Sequence, residues 1–188
     1  MDVISLELPG VILLKTRRFS DARGYFFESY NAGTFAREAG ITTTFVQDNQ
    51  SYSGPKGTIR GLHFQIPPAA QAKLVRVLHG SVYDVAIDLR AGSPTYGRST
   101  AATLTAEGGE QLFVPRGFAH GFCTLEPDTM VAYKVDAFYA PESDSGLIWN
   151  DPALAVPWPV APGEAVLSDK DTRHGSFADF KTPFRYEA

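Results

Sequence analysis

Apolar blocks of strand length, each closed by turn residues, run along this chain almost without interruption. "KLVRVL" and "VYDVAIDL" flank "HGS", and "FCTL" and "TMVAYKV" flank "EPD"; both arrangements read as β-hairpins. "VYDVAIDL" alternates, with Val85, Ile87 and Leu89 on one face and Asp84, Ala86 and Asp88 on the other. Only "NAGTFAREAG" reads as helix, with Asn31 able to cap its start and Gly40 its end. Strands spaced this evenly, with so little helix, predict an all-β fold, a double-sheet jelly roll. It would carry one short N-terminal helix and an irregular or partly helical C-terminal tail, which wraps the barrel from about Ser168. The 188 residues are enough for one domain, 1–188, with a full core.

Charge narrows the partners. The chain carries a net charge of −4, which argues against a nucleic-acid surface, because such surfaces rest on clustered cations. A few local arginines and lysines can still hold a diphosphate inside an acidic protein. No apolar run approaches the length of a membrane span. The opening "MDVISLELPGVILLK" lacks a basic leader followed by a pure apolar block, and Cys123, the only cysteine, has no partner for an internal disulfide. These features lead us to expect a soluble cytoplasmic protein.

The histidines raise the chemical question. His63 is followed by Phe64 and Gln65, and "VPRGFAHGF" sets His120 behind a proline–glycine turn with the P-x-G-x-x-H spacing of the second half of a cupin signature. The first half of that signature normally brings two histidines and a glutamate; here it brings only His63, with Lys73 downstream. A metal wants three or more converging neutral or anionic ligands, and a lysine nearby opposes it, so no metal site is expected. His79 in a turn and His174 in the tail read as structural residues. Arg60 and His63 lie three apart and would face opposite sides of a regular strand. If both serve one pocket, the strand must bulge, and Gly61 is the residue that permits it.

The blocks "RGLHFQIPPAAQAKLVRVLHGSVYDVAIDLR", "QLFVPRGFAHGF", "YKVDAFYAPESDSGLIWNDP" and "LSDKD" resemble the dTDP-4-dehydrorhamnose 3,5-epimerase family, and "FSDARGYFFESYN" and "FVQDNQSYS" extend the match. The resemblance runs in order over roughly residues 10–172. It implies a cupin jelly roll, a dTDP-4-keto-6-deoxyhexose substrate, no cofactor and a homodimer. It also implies roles. His63 matches the general base, Asp171 the carboxylate behind it, Tyr133 the general acid and Lys73 the cation near the sugar ketone. Arg60 matches a diphosphate contact, Tyr139 an aromatic stacked on thymine, and His120 a pocket wall. Arg23, Glu28, Gln47, Asp48, Asn49 and Lys170 match further substrate contacts. Asp144 stands where the family leads us to expect a glutamate, with a shorter reach.

Such chemistry needs these residue types. Inverting a carbon beside a ketone means removing a weakly acidic proton and returning one from the other face. Histidine suits the first task near neutral pH, with a carboxylate stabilising the imidazolium; a tyrosine opposite suits the second. A lysine at the ketone oxygen favours the enolate. In a gluco-configured chair the hydrogens on carbons 3 and 5 point to one face, so a single base can serve both. No GxGxxG loop is present and no redox step is needed. The competing readings are a 3-only or 5-only epimerase of deoxysugar tailoring, a 3,4-ketoisomerase, a non-catalytic sugar-binding cupin and a metal-dependent cupin enzyme.

Overall fold

In the computed structural model, which describes residues 1–187, thirteen strands and one α-helix follow in order. They are β1 (Asp2–Ser5), β2 (Ile12–Lys15), β3 (Phe19–Asp21), β4 (Gly24–Phe26), α1 (Ala32–Ala39), β5 (Gln47–Ser53), β6 (Ile59–Gln65) and β7 (Lys73–His79). There follow β8 (Ser81–Asp88), β9 (Ser99–Thr105), β10 (Glu110–Val114), β11 (Phe118–Thr124), β12 (Thr129–Val135) and β13 (Asp144–Gly146). A six-stranded sheet, β1-β2-β10-β7-β12-β5, faces a five-stranded sheet, β13-β6-β11-β8-β9, while β3 and β4 form a separate hairpin. Val75, Val77, Leu112, Val114 and Val131 from the first sheet meet Val82, Ala86, Leu104, Phe118 and Phe122 from the second, and this contact is the core of the jelly roll.

The helix forms where its caps put it. Asn31 Oδ1 accepts from the Thr34 amide at 3.1 Å, and Gly40 closes the other end at φ 68° with its amide bonded to the Ala36 carbonyl. Phe35 pins the helix to the outer face of the six-stranded sheet, against Leu14, Leu74 and Phe113.

The two hairpins read from the sequence are corrected. β7 and β8 flank the His79–Gly80 turn but belong to different sheets, and so do β11 and β12 around "EPD". The turn residues do reverse the chain. In a two-layer fold a reversal can carry the chain to the facing sheet as readily as to the neighbouring strand, and turn chemistry does not distinguish the two. The faces of β8 also sort unexpectedly. Val85, Ile87 and Leu89 pack outward against Leu62, Phe64 and the tail residues Phe177, Phe180 and Phe184. The face that carries Asp84 and Ala86 points into the barrel. Both faces are buried because the tail does wrap the five-stranded sheet, with isolated bridges pairing Leu147 with Gly175 and Ala91 with Arg185. Among the described residues a short helical turn at Pro162–Glu164 precedes Ser168, and the tail beyond Ser168 holds no helix.

The strand irregularity expected at Gly61 is present. Along β6–β11, His63 pairs with His120 and Arg60 with Phe122, so β6 spends one more residue than its partner between those pairs. Gly61 sits in this bulge at φ 156°, and a Cβ there would fall 2.7 Å from the Cα of Gly121. Two glycines facing each other allow the strands this approach. The Gly61–Leu62 peptide is cis.

Candidate active site

At one end of the barrel the two sheets part around a cleft of about 360 Å³. The five-stranded sheet contributes His63 and Gln65 from β6 and Asp144 from β13; the six-stranded sheet contributes Gln47 and Asn49 from β5, Lys73 from β7 and Tyr133 from β12. Tyr139 and Lys170 close the rim. His63 and Tyr133 therefore enter one space from opposed sheets.

His63 is backed by the tail. Its Nε2 lies 2.5 Å from Asp171 Oδ1, and Asp171 is buried. Ser168 Oγ donates to the other carboxylate oxygen at 2.8 Å. Burial acts to raise the Asp171 carboxyl, but the hydrogen bonds from His63 and Ser168 outweigh it and hold the group below the ordinary carboxylate range. An ionised, oriented carboxylate behind an imidazole stabilises the imidazolium that forms when the ring takes a proton.

Across the cleft, Lys73 Nζ stands 6.0 Å from the centre of the Tyr133 ring and donates to the His63 carbonyl at 3.3 Å. Desolvation lowers its amine to about 8, against opposing attraction from Asp84 and Asp144. Burial, first, and then Asp144 raise the Tyr133 phenol, against a lowering by the Arg60 guanidinium, so Tyr133 is a neutral proton donor at pH 7. Arg60 itself is anchored to the facing sheet, with Nε on Ser53 Oγ at 3.1 Å and a terminal amine on the Tyr52 carbonyl at 2.9 Å. At the rim, Asp144 Oδ2 accepts from Lys170 Nζ at 2.5 Å and from the Tyr139 hydroxyl at 3.2 Å.

His120 lies deeper. It is buried beside His63 in the strand register, and its Nε2 lies 2.8 Å from Asp84 Oδ1. Desolvation is the main reason its imidazole sits below the usual range. The other oxygen of Asp84 is buried with no hydrogen-bond partner, and the carboxylate's field reaches the Lys73 amine. Sequence reasoning passed over Asp84, Ser168 and His174. For Asp84 a signal existed, since a charge repeated within an apolar strand block has to face something. For Ser168 and His174 none did, because the path of the tail places them.

Five of the residues matched to substrate contacts do not line the cleft: Arg60 and His120, described above, and Asp48, Arg23 and Glu28. β5 alternates half-buried and exposed positions up to Ser53, so Gln47 and Asn49 face inward while Asp48 faces out and pairs with Lys134 at 2.9 Å. Arg23 is held by Asp21 at the exposed turn between β3 and β4, and Glu28 accepts from Asn31 at 3.1 Å on the surface.

A jelly roll of this kind, with a carboxylate-backed imidazole facing a neutral phenol and an amine, defines a cupin-type protein equipped to move protons at carbon. The family model described as dTDP-4-dehydrorhamnose 3,5-epimerase matches residues 5–179. The chain belongs to that family. It is 48% identical to the dTDP-4-dehydrorhamnose 3,5-epimerase of Sinorhizobium fredii over 97% of this chain and 92% of that one. Among solved structures it is similar to the Bacillus anthracis dTDP-4-dehydrorhamnose 3,5-epimerase with TDP and PPi bound, at 51% identity and a TM-score of 0.89, covering 93% of this chain and 98% of the other. It is similar also to the Legionella pneumophila dTDP-6-deoxy-D-glucose-3,5-epimerase in complex with dTDP-4-keto-L-rhamnose, at 39% identity and a TM-score of 0.94, covering 100% and 99%.

Proposed function

We propose that this chain is an isomerase that converts dTDP-4-dehydro-6-deoxy-D-glucose into dTDP-4-dehydro-L-rhamnose by inverting carbons 3 and 5. The observation that carries the reading is the pair His63 and Tyr133, rooted in opposed sheets and lining one cleft. His63 removes the proton from the carbon beside the ketone while Asp171 holds the resulting imidazolium. Lys73, as ammonium, draws the charge that gathers on the ketone oxygen. Tyr133 returns a proton from the far side, and the sequence repeats at the second carbon. Gln47, Asn49, Asp144 and Lys170 line the approach, with Tyr139 on the thymine and Arg60 and His120 completing the contacts. The residue set needs no cofactor for these steps.

Arg23 and Glu28 act, in this reading, in the cleft of a second copy of the chain. The separate β3–β4 hairpin supports it: Phe19, Tyr25 and Phe26 are 55%, 56% and 72% exposed, an apolar surface of the kind that pairs with a partner. The active unit is then a homodimer of one-domain chains, working in the cytoplasm. Proton NMR of the substrate with the protein in deuterated water tests the activity. Deuterium at both carbons 3 and 5 supports the proposal, deuterium at only one makes the chain a tailoring epimerase, and none makes it a binding protein.

A further inference from the structure

His174, read from the sequence as a plain tail residue, stands beside the catalytic base. Its ring meets His63 edge-on with centroids 5.6 Å apart. One ligand atom each from His63, Asp171 and His174 lie within 4.8 Å of one another. We propose that these three side chains form a zinc-binding site at which the ion switches the protein off by occupying its base.

The donor set and its surroundings fit such an ion. Two imidazoles and a carboxylate suit zinc, whereas magnesium asks for an octahedron of oxygens. Zinc bonds of about 2.0–2.2 Å place tetrahedral ligand atoms roughly 3.3–3.6 Å apart, so an ion would part His63 Nε2 and Asp171 Oδ1, now 2.5 Å apart, by about an ångström, with the His174 nitrogen already within 4.8 Å of both. His174 is available for this: its Nε2 is buried without a hydrogen-bond partner. The backbone beside it is tied down, with the Ile148 amide bonded to the Gly175 carbonyl at 2.9 Å. The ring rests over Gly146, where a Cβ would come within 2.5 Å of Nε2. Ser168, bonded to the free oxygen of Asp171, supplies the outer contact that orients a ligating carboxylate. Lys170, whose charge opposes one on His174, is paired with Asp144. The ion here is an inhibitor and not a resident cofactor: Asp171 faces His63 Nε2, so an ion bound there leaves the neutral ring's one proton on Nδ1 and no lone pair for proton removal.

The inhibition rests on the proposed function, but the binding does not, so two readouts are run. Zinc and, separately, magnesium are titrated by calorimetry into the parent, His174→Ala and His63→Ala proteins, and turnover is followed in the same buffers for the first two. The parent is expected to bind one zinc per chain and no magnesium, and to lose turnover in step with zinc occupancy, with recovery on adding a chelator. His174→Ala is expected to bind zinc at least about tenfold more weakly, a difference of roughly 1.4 kcal/mol, and to need correspondingly more zinc to lose whatever turnover it has without metal. His63→Ala should lose the zinc heat as well. Absence of zinc binding to the parent, or unchanged binding in His174→Ala, would overturn the site. A parent that binds zinc through His174 yet turns nothing over would uphold the site and remove the function proposed above.

Discussion

His63 and Tyr133 come from different sheets, so their tasks can be separated by substitution. Tyr133→Phe keeps the ring and its packing but removes the proton donor. His63 can still take a proton and return one from the same side. The variant is expected to incorporate deuterium at carbon 3 or 5 while epimer formation falls by roughly two to four orders of magnitude, the usual share of a positioned acid. Simultaneous loss of both, by NMR and chromatography, would make Tyr133 necessary for enolate formation as well. Lys73 adds a pH test. Its amine holds a proton only up to about 8, against 10.5 for an ordinary lysine. Turnover that needs the ammonium should therefore fall on the alkaline side with an apparent pKa near 8. Stability moves the opposite way. Between about 8 and 10.5 the unfolded chain binds more protons at this group than the folded one, so its contribution to stability rises with pH. The alkaline loss is thus separable from unfolding by a melting curve at each pH. Asp84 opposes deprotonation of Lys73, so Asp84→Asn should move the alkaline limb to lower pH. A limb that stays in place would show that another group controls it.

Strand β6 is the element on which the site turns. Its bulge sets His63 into the cleft while Arg60, three residues earlier, reaches Ser53 and the Tyr52 carbonyl of β5, and the bulge brings two glycines into contact. Gly61→Ala would put a methyl 2.7 Å from Gly121 Cα in a backbone conformation that disfavours side chains. We expect a loss of roughly 1–3 kcal/mol in unfolding free energy, with turnover falling further than stability because His63 is displaced. Chemical denaturation and the exchange assay, run on the same sample, check both. A fully active, equally stable variant would mean that β6 tolerates a regular ladder here.

The molecule as a whole leaves its N-terminal hairpin uncovered. Three exposed aromatics on β3 and β4, and the edge strand β1 with Val3 and Ile4 exposed, make a surface that a second copy would cover. Phe26→Asp would place a charge in that contact while touching nothing in the cleft of its own chain. By light scattering we expect the parent to be a dimer and Phe26→Asp to be a monomer at working concentration, with turnover reduced because Arg23 and Glu28 no longer reach a partner's cleft. A fully active monomeric parent would end the dimer reading.

Local chemistry was enough for a good part of this protein. Asn31 and Gly40 define the helix between them, the turn residues divide the chain into strands, and an odd spacing around Gly61 announces a bulge, because caps, turns and pleats are decided by neighbours in sequence. The ordered blocks around His63, Lys73, Tyr133 and Asp171 carried the family. What the sequence could not decide was which sheet a reversed chain joins, so β7–β8 and β11–β12 read as hairpins when they are crossings. Nor could it show that Asp84 faces the barrel interior, or that the tail sets Ser168 against Asp171 and His174 against His63. Those facts depend on packing between segments far apart in the chain, where burial of the shared core, and not any neighbouring residue, selects the arrangement.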